Sequence, residues 1–242
     1  MLTTAQVETV RTLPIRSCPV SRVEHSLDLC FEDAPVRELR ASQPVFTEGD
    51  MKTNVYKIES GAVLLYKILN DGVRQIVGFA FPGDCVGIEA SAAHTYDAQA
   101  IGATRLRSLP TAVLWRRAGE DAALTRELFE ALTYQMTEMR QHLLTIGRMT
   151  ATGRIATFLL GLSDRNRRNG QDALNINLPV RRSDMADFMC LSVETVSRSL
   201  TELKQAQVIS LRGWRQIKIT DRAALLRLAS GEIEEMPLRR AA

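Results

Sequence analysis

No run of about 18 consecutive apolar residues occurs in the chain, which excludes a membrane-spanning helix. The first twenty residues, MLTTAQVETVRTLPIRSCPV, carry no apolar stretch behind a basic start, so no secretory leader is expected. Cysteine is scarce. Cys18, Cys30, Cys85 and Cys190 stand at irregular spacings in 242 residues and do not make a disulfide framework. Together these absences predict a soluble protein of a reducing, cytoplasmic compartment. Histidine is scarcer still, with only His25, His94 and His142. A histidine-built metal centre needs several imidazoles converging on one ion, and only His94 lies in the β-rich part of the chain. No nucleophile–base pair and no phosphate-cradling glycine loop is present, so the chain is not expected to be an enzyme; a cupin-like enzyme is the remote alternative.

Charge is unevenly distributed. Between Arg148 and Arg222 there are 13 Lys/Arg against 7 Asp/Glu, whereas the remainder holds 18 basic and 21 acidic residues. A basic C-terminal part beside a slightly acidic N-terminal part suggests that the former faces a polyanion.

The hydrophobic pattern divides in the same place. From about Val45 to Leu109, short β-like runs alternate with turn chemistry: NVYKIESGAVLLYKIL around Gly61, Asp71-Gly72 as a hairpin signal, and the Pro-Gly-Asp turn of FPGDCVG. This pattern predicts a small sandwich or barrel. From about Ala122 to Ile146, apolar residues recur at threes and fours: Leu124, Leu128, Leu132, Met136, Met139, Leu143 and Ile146. The spacing predicts one long amphipathic helix. Its apolar stripe has two readings, packing on its own β domain or a coiled-coil-like dimer seam, and the length favours the seam, formed by Leu128, Leu132, Met136, Met139, Leu143 and Ile146.

A second helix follows in TATGRIATFLLGLSDRNRRNG, then a short strand in NINLPV. Ser183 is the expected N-cap of a helix covering DMADFM, and Ser192 that of a second helix starting at Val193. Val193, Val196, Leu200 and Leu203 give the second helix a buried face, and a three-residue turn joins the two into a helix-turn-helix. VISLRGWRQIKIT reads as a hairpin around Gly213, which makes the motif winged. Glu194, Ser197 and Arg198 project together near the start of the second helix, the end that enters the major groove in such motifs. A carboxylate accepts from cytosine N4, and a guanidinium donates twice to guanine O6 and N7. Arg181, Arg182, Lys204, Arg212, Arg215 and Lys218 surround this face as candidate phosphate contacts. The competing reading of Glu194 and Arg198 is an ordinary i,i+4 surface ion pair. Cys190, in the turn, is either a small side chain tolerated there or a thiol whose oxidation opposes DNA binding.

The segments PVFTEGD, VYKIESGAV, GFAFPGDCVGIEA, AQAIGATRLRSLP and, above all, LSVETVSRSL resemble the CRP/FNR superfamily of bacterial transcription regulators, most closely its FNR/FixK branch. The E-x-x-S-R recognition signature of that branch falls on Glu194, Ser197 and Arg198. The resemblance implies an α+β fold with an N-terminal extension at 1–30, a cyclic-nucleotide-binding-like β-roll at 31–119, a dimerisation helix at 120–147, a winged helix-turn-helix at 148–230 and a tail at 231–242. It also implies a homodimer that binds a palindrome of TTG-type half-sites in double-stranded DNA and recruits RNA polymerase, and so activates transcription; no membrane partner is expected.

The sensing chemistry of the superfamily is matched less well. Cyclic-AMP-type members place a Gly-Glu pair after the β-roll turn and an Arg-Ser pair further on. Here the turn runs Gly87-Ile88-Glu89, one position late, and the region of HTYDAQA has no Arg-Ser pair. FNR-type members hold an iron–sulfur cluster on three clustered N-terminal cysteines and one in the β-roll. This chain has only Cys18 and Cys30 near its start, and Arg107 aligns with the β-roll ligand. No cofactor and no metal is therefore expected, as in FixK-type regulators; a haem-linked nitric-oxide sensor or an iron–sulfur sensor is the alternative.

Overall fold

The computed structural model describes residues 26–89, 91–213 and 215–232. Cys18, His25, most of the expected N-terminal extension and the tail beyond residue 232 lie outside the described residues. A short helix α1 (Ser26–Glu32) leads into eight strands: β1 (Val36–Leu39), β2 (Pro44–Phe46), β3 (Asn54–Ser60), β4 (Val63–Ile68), β5 (Arg74–Ala80), β6 (Cys85–Val86), β7 (Asp97–Ala100) and β8 (Thr104–Pro110). They form two four-stranded sheets of order β1-β8-β3-β6 and β2-β7-β4-β5, and all pairings are antiparallel.

The sheets close on Val45, Phe46, Tyr56, Ile58, Val63, Ala80, Val86, Ala98 and Leu106, all buried. Full burial of each large aliphatic side chain among these contributes about 1.5–3 kcal/mol. The corners follow the turn chemistry: Gly61, Gly72 and Gly83 all have positive φ. Gly61 is the most constrained. A Cβ there would lie 2.5 Å from the Ala103 carbonyl oxygen and 2.6 Å from the Thr104 hydroxyl, so the β3–β4 corner admits no side chain.

Helix α2 (Thr111–Glu120) follows β8, and the 27-residue α3 (Ala122–Arg148) follows α2. Asp121 caps α3, its carboxylate accepting from the Ala123 amide at 2.8 Å. The remaining elements are α4 (Ala151–Arg168), β9 (Asn175–Asn177), α5 (Arg182–Met189), α6 (Val193–Gln205), β10 (Ile209–Arg212), β11 (Gln216–Ile219) and α7 (Arg222–Ser230). Strands β10-β11-β9 make a small antiparallel sheet against the helices.

The core of this second unit includes Ile155, Leu159, Met185, Met189, Val196, Leu200, Leu203 and Leu225, and it also takes in Ala62 and Phe81 of the β-roll. The two units therefore share one continuous apolar cluster. Arg165 of α4 reinforces the junction with two bonds to the Asp84 carboxylate, at 3.0 and 2.8 Å, and lies over the Phe81 ring.

Candidate nucleic-acid interface

Helices α5 and α6 are joined by Cys190, Leu191 and Ser192. The turn begins with Cys190 in the left-handed region, at φ 54° and ψ 50°. This lets the Leu191 amide reach back to the Ala186 carbonyl at 2.9 Å and close the end of α5. Arg154 of α4 donates to the Met189 carbonyl at 2.8 Å and to that of Cys190 at 3.4 Å, so a guanidinium from the neighbouring helix holds the turn's free carbonyls. Ser192 caps α6 as expected, its hydroxyl accepting from the Thr195 amide at 3.1 Å. Ser183 does not cap α5. The helix begins at Arg182, two residues before the start that a Ser183 cap implies, and the Asp184 carboxylate accepts from the amide of Arg181, the N-cap residue, as the third-position half of a capping box.

The face of α6 away from the core carries Glu194, Ser197 and Arg198, all exposed, while Val196, Ser199, Leu200 and Leu203 are buried behind them. Glu194 does not turn to Arg198 one helical turn on. Its carboxyl is held below the usual carboxylate range by its own backbone N–H at the helix start and by the Ser192 hydroxyl. It is therefore an ionised acceptor at neutral pH, and Arg198 is exposed one turn further along the same face.

Arg181, Lys204, Arg212, Arg215 and Lys218 are exposed around this face. Arg212 and Arg215 flank Gly213, whose φ of 65° makes the tip of the β10–β11 hairpin. Arg182 is placed differently from the rest of the rim. It is half-buried, its guanidinium lies 3.6 Å from the Met185 sulfur, and burial lowers its pKa. It packs along α5 rather than standing out as a phosphate ligand.

On α3 the expected seven-residue stripe separates into two faces. Leu124 and Leu128 are buried against the β-roll with Cys30, Phe31, Val55, Cys85, Leu109 and Leu114, and Leu132 packs at the edge of this cluster. Leu128 is thus removed from the expected dimer seam, because its side chain is already covered by its own chain. A second stripe is uncovered: Phe129 at 69% exposure, Met136 at 54%, Met139 at 63% and Leu143 at 65%. Phe129, Leu132, Met136, Met139, Leu143 and Ile146 step alternately by three and four, the 3.5-residue repeat of a coiled-coil seam. Phe129 was hidden in the sequence because steps of four from Leu124 and Leu128 lead past it.

Comparison with known proteins agrees with this geometry. The cyclic nucleotide-binding domain family matches residues 36–120, and the Crp-like helix-turn-helix domain family matches residues 153–228. The chain is 38% identical to the nitrogen fixation regulation protein FixK of Azorhizobium caulinodans over 77% of its own length and 75% of that protein. It is 31% identical to the transcriptional activator protein Anr of Pseudomonas aeruginosa over 95% of its length and 99% of that protein. The structure of FixK2 from Bradyrhizobium japonicum superposes with a TM-score of 0.75 at 35% identity, covering 81% of this chain and 96% of the other. The chain belongs to the CRP/FNR superfamily, in its FixK-like branch. It is a DNA-binding transcription regulator of the FNR/FixK type and not an enzyme.

The ligands of other CRP/FNR members find a poor fit among the described residues. Glu89, the displaced glutamate of the nucleotide turn, points inward. Both of its carboxylate oxygens are buried without a hydrogen-bond partner among the described residues, and the nearer one lies 3.8 Å from His94 Nδ1, itself unpartnered. The His94 ring stacks on Phe46 at 3.6 Å. Burial, followed by the charge of Glu89, pushes the Tyr96 phenol up.

The described residues do not fit an iron–sulfur cluster either. Burial pushes the Cys85 thiol up to about 12, and Cys190 lies in the helix-turn-helix turn of the other unit. At the β-roll ligand position, Arg107 pairs with Glu59 and donates to the carbonyl oxygens of Phe31, Glu32 and Ala34, so it ties α1 to the sheet.

Proposed function

We propose that this regulator acts as a homodimer, joined along the uncovered stripe of α3, that reads a TTG-type palindrome and activates transcription through RNA polymerase. Glu194, Ser197 and Arg198 read base edges. Arg181, Lys204, Arg212, Arg215 and Lys218 hold phosphates. Cys190 is the redox-sensitive position of the interface. The observation that carries this reading is the outward presentation of Glu194, Ser197 and Arg198 on one face of α6, inside a rim of exposed cations. The relatives named FixK and Anr support the regulatory role.

The test is a binding titration in air, without cofactor, on a duplex carrying the TTG-type palindrome and on a scrambled duplex. Wild-type protein should prefer the palindrome. Arg198→Ala should lose about 1–3 kcal/mol on the palindrome, the worth of one bidentate base contact, and little on the scrambled duplex. Equal loss on both duplexes would remove the base-reading role. A requirement for cluster reconstitution, haem or cyclic AMP would remove the cofactor-free reading.

A further inference from the structure

Strand β5 is the free edge of its sheet, after β4 in the order β2-β7-β4-β5, and it lies against α5 of the helix-turn-helix. The contact is built from specific groups. Arg74, the first residue of β5, donates from Nη2 to Asp184 Oδ1 at 3.0 Å and to Asp187 Oδ2 at 2.9 Å, so one guanidinium nitrogen bridges two carboxylates on successive positions of the α5 face. Gln75 donates from Nε2 to the Asp187 carbonyl at 3.2 Å. Further along β5, Phe79 meets Phe188 edge-to-face at 5.1 Å between centroids. Phe188 is enclosed on other sides by Phe158 of α4 and by His142 of α3, whose ring stacks on it at 3.9 Å. Helix α5 is thus gripped by β5, α3 and α4, while the Glu194–Arg198 face of α6 stays open.

We infer that Arg74 is a positioning residue for DNA reading, holding α5 on the edge of the β-roll so that α6 is presented in one fixed orientation. The inference rests on the base-reading role of α6 proposed above. Its physical basis is pre-organisation. Two recognition helices of a dimer must meet successive major grooves about 34 Å apart, and a DNA-reading unit free to swing on α3 loses orientational freedom on binding. The β5–α5 contact removes that freedom before DNA arrives. Specific binding, which needs both α6 helices in register, depends on it. Phosphate contact, which tolerates a range of orientations, does not. Arg74 is about one-third exposed, so its ion pairs are partly screened and their removal leaves the fold standing.

The test uses full-length protein and the same two duplexes, with folding and self-association checked by circular dichroism and light scattering. Arg74→Ala should weaken binding to the palindrome about tenfold, within the range typical of coupling between sites, and change binding to the scrambled duplex less than about twofold. Arg74→Lys should recover part of the loss. Arg74→Asp combined with Asp187→Arg, which restores opposite charges across the contact, should recover more than either single change. Unchanged palindrome binding by Arg74→Ala would overturn the inference, as would tighter binding, which would make the contact a brake, or equal loss on both duplexes. Arg198→Ala run alongside separates the two levels of argument. If the wild type shows no preference for the palindrome, the base-reading assignment falls and the inference falls with it; if that preference holds and only the Arg74 variants are silent, the inference alone fails.

Discussion

At Cys190 the backbone stands at φ 54° and ψ 50° because α5 must end and the chain must reverse before Ser192 can cap α6. An L-residue other than glycine holds that conformation at a cost of about 1 kcal/mol, since Cβ crowds the following carbonyl. The side chain is exposed in the turn before α6, beside a carbonyl already engaged by Arg154. Oxidation to a sulfinate would add bulk and negative charge there, against incoming phosphates. Cys190→Gly should relieve the crowding and leave stability equal or up to about 1 kcal/mol higher in urea titration, the gain being reduced by the greater freedom of glycine in the unfolded chain. Cys190→Ser keeps the backbone cost but removes the oxidisable sulfur. Both variants should bind the palindrome with peroxide-independent affinity, and a serine variant as peroxide-sensitive as the wild type would rule the thiol out.

Helix α3 serves two surfaces at once, and substitutions should separate them. Leu128 is 3% exposed within its own chain, so Leu128→Ala should lower protomer stability by roughly 2–5 kcal/mol, the usual cost of a leucine-sized core deletion. Met139 is 63% exposed on the outer stripe. Met139→Glu should leave the helical spectrum intact while placing two like charges across the seam, so the light-scattering mass should fall from dimer to monomer at micromolar concentration. A dimer unaffected by Met139→Glu would move the seam elsewhere. The same helix shows where reading the sequence reaches its limit. Periodicity revealed an amphipathic helix, but residues one position apart, Leu128 and Phe129, differ entirely in burial, at 3% and 69% exposure, and only the packed β-roll distinguishes them. The hairpin at Asp71-Gly72 and the Ser192 cap were legible because their chemistry is local. The short helices α1, α2 and α7 were missed; each is ten residues or fewer and is held by contacts with distant parts of the chain. The Arg74 bridge, spanning 110 residues to Asp184, has no local signal at all.

Across the whole molecule, two histidines tie acid sensitivity to both units. His94 is buried in the β-roll against Phe46, and His142 is half-buried between α3 and α5 against Phe188. Burial is the leading cause that lowers both pKa values below the ordinary 6.5; the Glu89 charge beside His94 and a bond with the Phe188 backbone at His142 oppose it only in part. The sign follows from linkage. Each imidazole is neutral in the folded protein, whereas in the unfolded chain it takes up a proton once the pH falls below 6.5. The stabilisation from the neutral rings is therefore complete above 6.5 and is lost as the pH falls from 6.5 to the lowered folded values. Glu59 and Glu194, whose carboxyls are held below the ordinary 4.5, lose their contributions only at lower pH, so the two windows are distinct. Denaturant titrations at steps from about pH 8 to pH 5 should show stability flat at first and then declining below 6.5. His94→Gln and His142→Gln should each flatten part of that decline, and the double variant most of it. Because His142 stacks on the same Phe188 that β5 grips, its protonation should also loosen α5, and palindrome binding should weaken over the same interval in the wild type but not in His142→Gln. A decline of equal depth in the double variant would assign the acid response to other groups.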